Sequence, residues 1–310
     1  MSKTVVIAGA GVMGASLSQV YGLAGYETYV YDVIPAGLEK GRHLVDLNQA
    51  TMVREGLVTQ ADSDAMHQKI HFTLEKDCFH RCDLVVECIV ERMDVKHSFW
   101  REISAIVPPE ALLATNTSGL HITEIAEAVE KPERFMGQHW LNPPHLIPMC
   151  EIIAGDKTSP EYIEEMRQLV KDLGKCPVVV KDINGFVSNR LQFALLREAL
   201  YIVESGAATF EDVDTVLKAG MGLRYAALGA FGVADFGGLD TFNHINSYLN
   251  ADLCNATEGH PLLQEKVDAG HLGVKSGQGF YDYAGDKADE AIRQRDKLYI
   301  DLAKVLYFDK

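Results

Sequence analysis

The chain has 310 residues, 47% of them hydrophobic, and carries 29 Lys plus Arg against 44 Asp plus Glu, a formal net charge of −15. That length exceeds the usual single domain and predicts two, while the negative charge argues against nucleic acid or an anionic membrane surface as a partner. No apolar run approaches the roughly 20 residues that span a bilayer, and Met1-Ser2-Lys3 runs into Val5-Val6-Ile7-Ala8 with no secretory pattern, so a cytoplasmic protein is expected.

Short β-type runs, each followed by a helical pattern, fill the first 180 residues or so: Thr4–Ala8, Thr28–Tyr31, Leu84–Glu87, Leu112–Thr115, Phe135–His139 and Pro177–Val180. Such alternation predicts an α/β fold, a doubly wound parallel sheet of Rossmann type with crossover helices. Pro35 to Ile70 reads as two consecutive helices with a turn at Glu55-Gly56, an inserted helical hairpin (about 36–70). After Asp182 the segments 187–205, 210–219, 240–254 and 286–307 carry apolar residues at helical spacing. The expected domains are therefore 1–183, nucleotide-binding, and 184–310, all-helical. Six cysteines lack paired spacing and suit reduced core thiols; Cys78, His80 and Cys82 have no second ligand pair, and no metal is expected.

Gly9-Ala10-Gly11-Val12-Met13-Gly14 sits between a strand and a helix, the context that gives a GxGxxG match its meaning. The first glycine permits the tight turn, the second lets backbone approach a pyrophosphate, and the third lets helix and strand pack closely. Phosphate charge then meets a helix N-terminus. Asp32, eighteen residues beyond Gly14, is placed to accept hydrogen bonds from ribose hydroxyls, and Val33-Ile34-Pro35 offers no cation for a 2′-phosphate. NAD is thus expected over NADP. The same fingerprint serves the ADP half of FAD, but nothing else in the chain asks for a flavin.

Hydride transfer from an alcohol needs a base for the hydroxyl proton and donors for the oxygen. His139 closes a strand at the C-terminal sheet edge, where open α/β folds bind ligands, and is the best base candidate. The stretch His139-Trp140-Leu141-Asn142-Pro143-Pro144, ending at Met149-Cys150-Glu151, resembles the catalytic segment of the 3-hydroxyacyl-CoA dehydrogenase family. Asn116-Thr117-Ser118, Val86–Glu91 with Lys96, Asn184–Leu191 and Lys275–Tyr281 occur in the family's order, so the resemblance spans residue 3 to about 283.

The resemblance implies His139 as general base and Glu151 as the acceptor of its other ring N–H. It implies that Ser118 and Asn189 hydrogen-bond the substrate oxygen, Asn189 from the helical domain, so that catalysis requires the domains to close. It implies that Glu91, Lys96, Asn142 and Lys275 contact NAD alongside Gly9, Gly11, Val12, Met13, Gly14 and Asp32. It also suggests a homodimer, through Gly222–Tyr225 and Gly237–Asp240.

For the substrate, the resemblance points two ways. The family default is an L-3-hydroxyacyl-CoA oxidised reversibly to the 3-ketoacyl-CoA, a role in fatty acid metabolism, and it is the first expectation. Yet Glu55 and Leu57 stand where bacterial acyl-CoA members usually carry lysines, leaving Arg54 as the nearest cation to CoA. Asn142–Pro148 and Gly222–Tyr225 are more like the branch with L-gulonate 3-dehydrogenase, carnitine dehydrogenase and a pyridoxate-degradation dehydrogenase, which act on small free acids; there His145 would meet the substrate carboxylate. A protein that binds NAD without turnover is the alternative of another class; His139, Glu151, Ser118 and Asn189 together argue against it.

Overall fold

The computed structural model describes residues 3–308. Those residues form two compact units: the chain up to Val187 joined by Tyr299–Phe308, and Ser188–Leu298.

The first unit is built on one eight-stranded sheet with order β3-β2-β1-β4-β5-β6-β7-β8. Its elements are β1 (Thr4–Ala8), α1 (Val12–Leu23), β2 (Glu27–Tyr31), α2 (Pro35–Arg54), α3 (Gln60–Lys69), β3 (Ile70–Thr73), β4 (Leu84–Glu87), α4 (Met93–Ile106), β5 (Leu112–Thr115), a single turn α5 (Ile122–Ile125), β6 (Phe135–Trp140), β7 (Met149–Ala154), α6 (Pro160–Asp172) and β8 (Cys176–Lys181). All neighbours pair in parallel except β6 with β7. From β1 the chain winds outward to β2 and β3, then returns to β4 on the other side. A crevice therefore opens between β1 and β4, the switch point where such sheets bind nucleotides.

The central strands are apolar runs because helices cover both faces. One face packs Trp100, Phe79, Leu113 and Phe135, the other Leu17, Tyr21, Met136 and Trp140. α2 and α3 form the expected hairpin, with Gly56 taking the left-handed conformation (φ 66°) that ends α2.

Two strands were not expected. β3 follows α3 without a break, and β7 runs back along β6. The chain end also departs from the expected boundary: Tyr299–Phe308 joins the first unit. There Ile300 is fully buried in a cluster with Met52 of α2 and Leu146, and burying a side chain of that size contributes roughly 1.5–3 kcal/mol.

The second unit is helical: α7 (Ser188–Glu204), α8 (Phe210–Thr215), α9 (Leu223–Gly237), α10 (Leu239–Leu249), α11 (Pro261–Asp268) and α12 (Lys287–Ala303), whose last turns belong to the first unit. A π-helical stretch, Val216–Gly222, links α8 to α9, and α9 is broken at Gly229 (φ 68°, ψ 176°). Among the described residues, no helix is long and apolar enough to cross a membrane.

Candidate active site

The glycine turn lies at the β1–β4 crevice, and close approach explains its composition. A side chain at Gly14 would place Cβ 1.8 Å from the Gly9 carbonyl oxygen; at Gly9 (φ 108°) it would meet the Cys88 carbonyl at 2.7 Å. At Gly11 nothing lies within 4 Å of the built Cβ. Gly9 and Gly14 thus serve the protein's own packing, while Gly11 leaves open space. Gly11 caps α1 with no side-chain hydrogen bond, and no acidic residue occupies the first turn where Val12 and Met13 begin the helix. An uncapped helix N-terminus beside open space suits a phosphate.

Next to the turn is a cleft of about 470 Å³ lined by Gly9, Gly11, Asp32, Ile34, Ile89 and Phe99, among others. Asp32 follows β2, and its carboxylate accepts from the Ala10 N–H (2.8 Å) and the Ile34 N–H (3.0 Å). Those two bonds fix the carboxylate at the rim. An apolar slot, an open glycine and a rim carboxylate fit the adenosine and pyrophosphate of NAD.

On the other side of β4 a buried polar network anchors the site. Glu87 accepts from Lys96 (2.6 Å), the Ile89 N–H (2.9 Å) and Thr115 (2.8 Å), and both Glu87 and Lys96 are buried. Lys96 lies 3.3 Å from Glu91. Glu91 also accepts from the Thr117 hydroxyl and from the Ser118 N–H (3.0 Å). Burial pushes the Glu91 carboxyl up, but the Thr117 hydroxyl, the Lys96 charge and the Ser118 N–H together hold it below its ordinary value. This network seats the Asn116–Ser118 turn; Asn116 in turn accepts from the Trp140 N–H (2.9 Å), tying it to β6.

His139 and Glu151 are register partners in the antiparallel β6–β7 ladder, so their side chains share a face. His139 Nδ1 lies 2.8 Å from Glu151 Oε2, with both residues buried. The other carboxylate oxygen accepts from the Val187 N–H (3.0 Å). With Nδ1 turned to the carboxylate, Nε2 is the ring nitrogen that faces away from it. The ring of Phe186, fully buried at φ 48°, packs 5.5 Å from the imidazole.

The loop 141–148 joins the two strands and contains the cis peptide Asn142-Pro143. Asn142 is exposed and His145 buried. Beneath the loop, Lys175 donates to the carbonyls of Pro144 (2.8 Å), His145 (3.4 Å) and Ile147 (3.1 Å). Burial pulls this lysine down to about 8.

The first unit therefore brings together His139, Glu151 and Phe186; His145 instead lines a separate cavity with Met52, Leu57 and Lys175. The first unit also joins the Ser118 turn to Glu91 and Lys96. Arg54 lies elsewhere, exposed at the end of α2 and paired with Glu55 (2.9 Å). Asn189 stands at the start of α7 in the second unit, and Lys275 lines a cavity of about 580 Å³ there, with Asp214, Phe280 and Tyr281. Among the described residues no cluster of three or more His, Cys, Asp or Glu could hold a metal.

Sequence reasoning gave no role to Glu87, Asn116, Phe186 or Lys175. A carboxylate ending an apolar strand, Leu84-Val85-Val86-Glu87, is the signal that would have found the first. Nothing in Gly174-Lys175 distinguishes a buried lysine from a turn lysine.

A crevice for a dinucleotide and a buried histidine–carboxylate pair, both borne by one doubly wound sheet, define an NAD-dependent dehydrogenase acting on CH–OH groups. Comparison with known proteins narrows this. Residues 4–183 match the NAD-binding domain of 3-hydroxyacyl-CoA dehydrogenase and residues 185–283 its C-terminal domain. The chain belongs to the 3-hydroxyacyl-CoA dehydrogenase family.

It is 35% identical over 308 residues, 99% of each chain, to 5-formyl-3-hydroxy-2-methylpyridine 4-carboxylate 5-dehydrogenase of Mesorhizobium japonicum. It is 37% identical over 278 residues, 89% of this chain and 99% of the other, to a probable 3-hydroxybutyryl-CoA dehydrogenase of Deinococcus radiodurans. A crystal structure of a 5-formyl-3-hydroxy-2-methylpyridine 4-carboxylic acid 5-dehydrogenase, described as an NAD+-dependent dismutase, superposes with TM-score 0.91 at 34% identity over 99% of both chains.

Proposed function

We propose that the chain oxidises a CH–OH group on a small free carboxylic acid, with NAD as acceptor and His139 as general base. The observation that carries the chemistry is the buried 2.8 Å contact between His139 Nδ1 and Glu151. The bound nicotinamide supplies the hydride acceptor. His139 takes the hydroxyl proton on Nε2, and Glu151 stabilises the imidazolium through Nδ1–H. Ser118 and Asn189 hold the oxygen as it becomes a carbonyl. Gly9, Gly11, Val12, Met13 and Gly14 seat the pyrophosphate, and Asp32 the ribose. Glu91, Asn142 and Lys275 are assigned to NAD by the family pattern, with Lys96 acting through Glu87 and Glu91.

Two observations support a free acid. The similarity to the pyridine-carboxylate dehydrogenase runs through nearly the whole chain, and the two cations at the end of the helical hairpin are engaged within the protein. Arg54 pairs with Glu55, Lys304 donates to the Glu55 carbonyl, and Leu57 packs against the Met52–Leu146–Ile300 cluster. In this reading His145, which the free-acid branch of the resemblance assigns to the substrate carboxylate, answers the acid group. An aldehyde hydrate presents the same H–C–O–H unit as a secondary alcohol, so a formyl group falls within this chemistry. The second reading, an L-3-hydroxyacyl-CoA in fatty acid metabolism, is favoured by the 37% identity to the Deinococcus protein.

NADH absorbance across 3-hydroxyacyl-CoA thioesters, free 3-hydroxy acids and hydroxymethyl- or formyl-pyridine carboxylates separates the two. Saturable turnover of thioesters with none of free acids overturns the assignment. His139→Gln is expected to lower turnover about 10²–10⁴-fold with NAD binding retained; unchanged turnover removes His139 as the base.

A homodimer accords with the apolar surface of α9, where Phe231 and Phe236 are 90% and 83% exposed. Sedimentation equilibrium should give twice the chain mass, and Phe231→Glu with Phe236→Glu should shift it to the monomer. The absence of paired cysteine spacing accords with a cytoplasmic location.

A further inference from the structure

The C-terminal segment Tyr299–Phe308 lies beyond the region matched by the family's C-terminal domain, which ends at residue 283. It packs against two places that meet nowhere else in sequence. Ile300 is fully buried between Met52, near the end of α2, and Leu146, inside the loop 141–148. Leu57 and Val58, just past the α2 turn, pack on the same cluster.

One turn after Ile300, Lys304 donates to the carbonyl of Glu55 (2.7 Å). That carbonyl belongs to the C-cap of α2, where a cation also meets the negative end of the helix. The segment therefore joins the hairpin to the loop by one apolar and one polar contact.

The loop needs an external hold. His139 and Glu151 are fixed by the β6–β7 ladder, but residues 141–148 between them are not, and their internal hydrogen bonds run back to one acceptor: the N–H groups of Leu146 and Ile147 both donate to the Pro143 carbonyl at 3.0 Å. Lys175 holds the loop's backbone from below through three carbonyls. Its apolar anchor, Leu146, is adjacent to His145 and is held by Ile300.

We propose that Ile300 and Lys304 are positioning residues for substrate: through them the C-terminal segment fixes the loop bearing Asn142 and His145 against the end of the helical hairpin. The His139–Glu151 pair does not depend on this hold. Loss of the hold should therefore weaken substrate binding more than it slows the chemical step. The catalytic part of this claim rests on the assignment of His145 to the substrate above; the mechanical part does not.

Hydrogen exchange of the full-length protein tests the mechanical part without any substrate. In Ile300→Ala, amides of residues 145–147 and 55–58 should exchange about tenfold faster or more, with β1, β4 and β5 unchanged. Ile300→Val and Lys304→Met, milder changes, should show the same pattern at smaller amplitude and keep the test open if the alanine variant fails to fold. Unchanged exchange in 145–147 across these variants overturns the proposal.

The catalytic part is read on whichever compound of the panel above turns over, thioester or free acid. KM for that compound should rise about fivefold or more, with kcat within about threefold, and KM for NAD, to which Asn142 is assigned, should rise by a smaller factor. Faster loop exchange with an unaltered KM would make the segment structural only and overturn its positioning role.

Discussion

The crevice between β1 and β4, in the middle of the sheet, and the pair of β6 and β7, towards one edge, are built on opposite principles. At the crevice, function comes from what is missing: no side chain at Gly11, no cap on α1, a backbone brought close by Gly9 and Gly14. At the hairpin it comes from what is buried: an imidazole and a carboxylate removed from water and held 2.8 Å apart. A cofactor common to many enzymes is gripped by backbone, which any sequence possesses. The proposed base and its partner are two side chains whose burial costs stability unless each is satisfied by the other.

Substitutions on the two sides should therefore fail differently. The largest effect is expected at the hairpin: Glu151→Gln should lower turnover about 10³-fold, because the ring tautomer and the imidazolium lose their partner, while calorimetry shows NAD binding intact. Gly14→Ala should cost about 3 kcal/mol or more of folding stability through the clash with Gly9, measured by denaturant titration. Gly11→Ala breaks that pattern within the same turn. Its folding stability should stay within about 0.5 kcal/mol of the parent, but the NAD Kd should rise about tenfold as the methyl enters cofactor space.

The smallest effect is a pH slope at Lys175. Its folded pKa, about 8, lies below its unfolded value. Between that value and the ordinary lysine range, the unfolded chain binds more protons than the folded one, so the lysine's contribution to stability rises with pH, by up to about 1.4 kcal/mol per unit. Below pH 8 both states are protonated and the penalty is constant. Subtracting the curve of Lys175→Met from that of the parent isolates the slope; a flat difference between pH 8 and 10 would show the lysine is not depressed.

The two sides also differed in how far they could be read beforehand. The glycine turn is local: strand, spacing and Asp32 all lie within 29 residues of chain, and the alternation of apolar runs gave β1, β2, β4, β5, β6 and β8. β3 went unread because the expected hairpin ends at Ile70 and His71-Phe72-Thr73 is too short to stand as a strand alone; it becomes one by pairing with β2. β7 escaped because a proline-rich loop precedes it and its direction depends on β6. His139 with Glu151 was visible through family resemblance, whereas the spacing of twelve alone says nothing until the ladder folds it into contact. Lys175, the Glu87 network and the attachment of Ile300 are tertiary: a lysine after a glycine and an isoleucine in an amphipathic helix look the same whether they face water or a distant loop.

The reversal of direction at β7 has a consequence for how such an enzyme changes its diet. Because His139 and Glu151 are cross-strand neighbours, the ladder sets their alignment whatever the length or composition of the loop between them. Residues 141–148 can be shortened, lengthened or reshaped by insertion without moving that pair. If the proposed base is right, a lineage, or an engineer, can thus exchange one substrate for another at the loop while the pair stays in register.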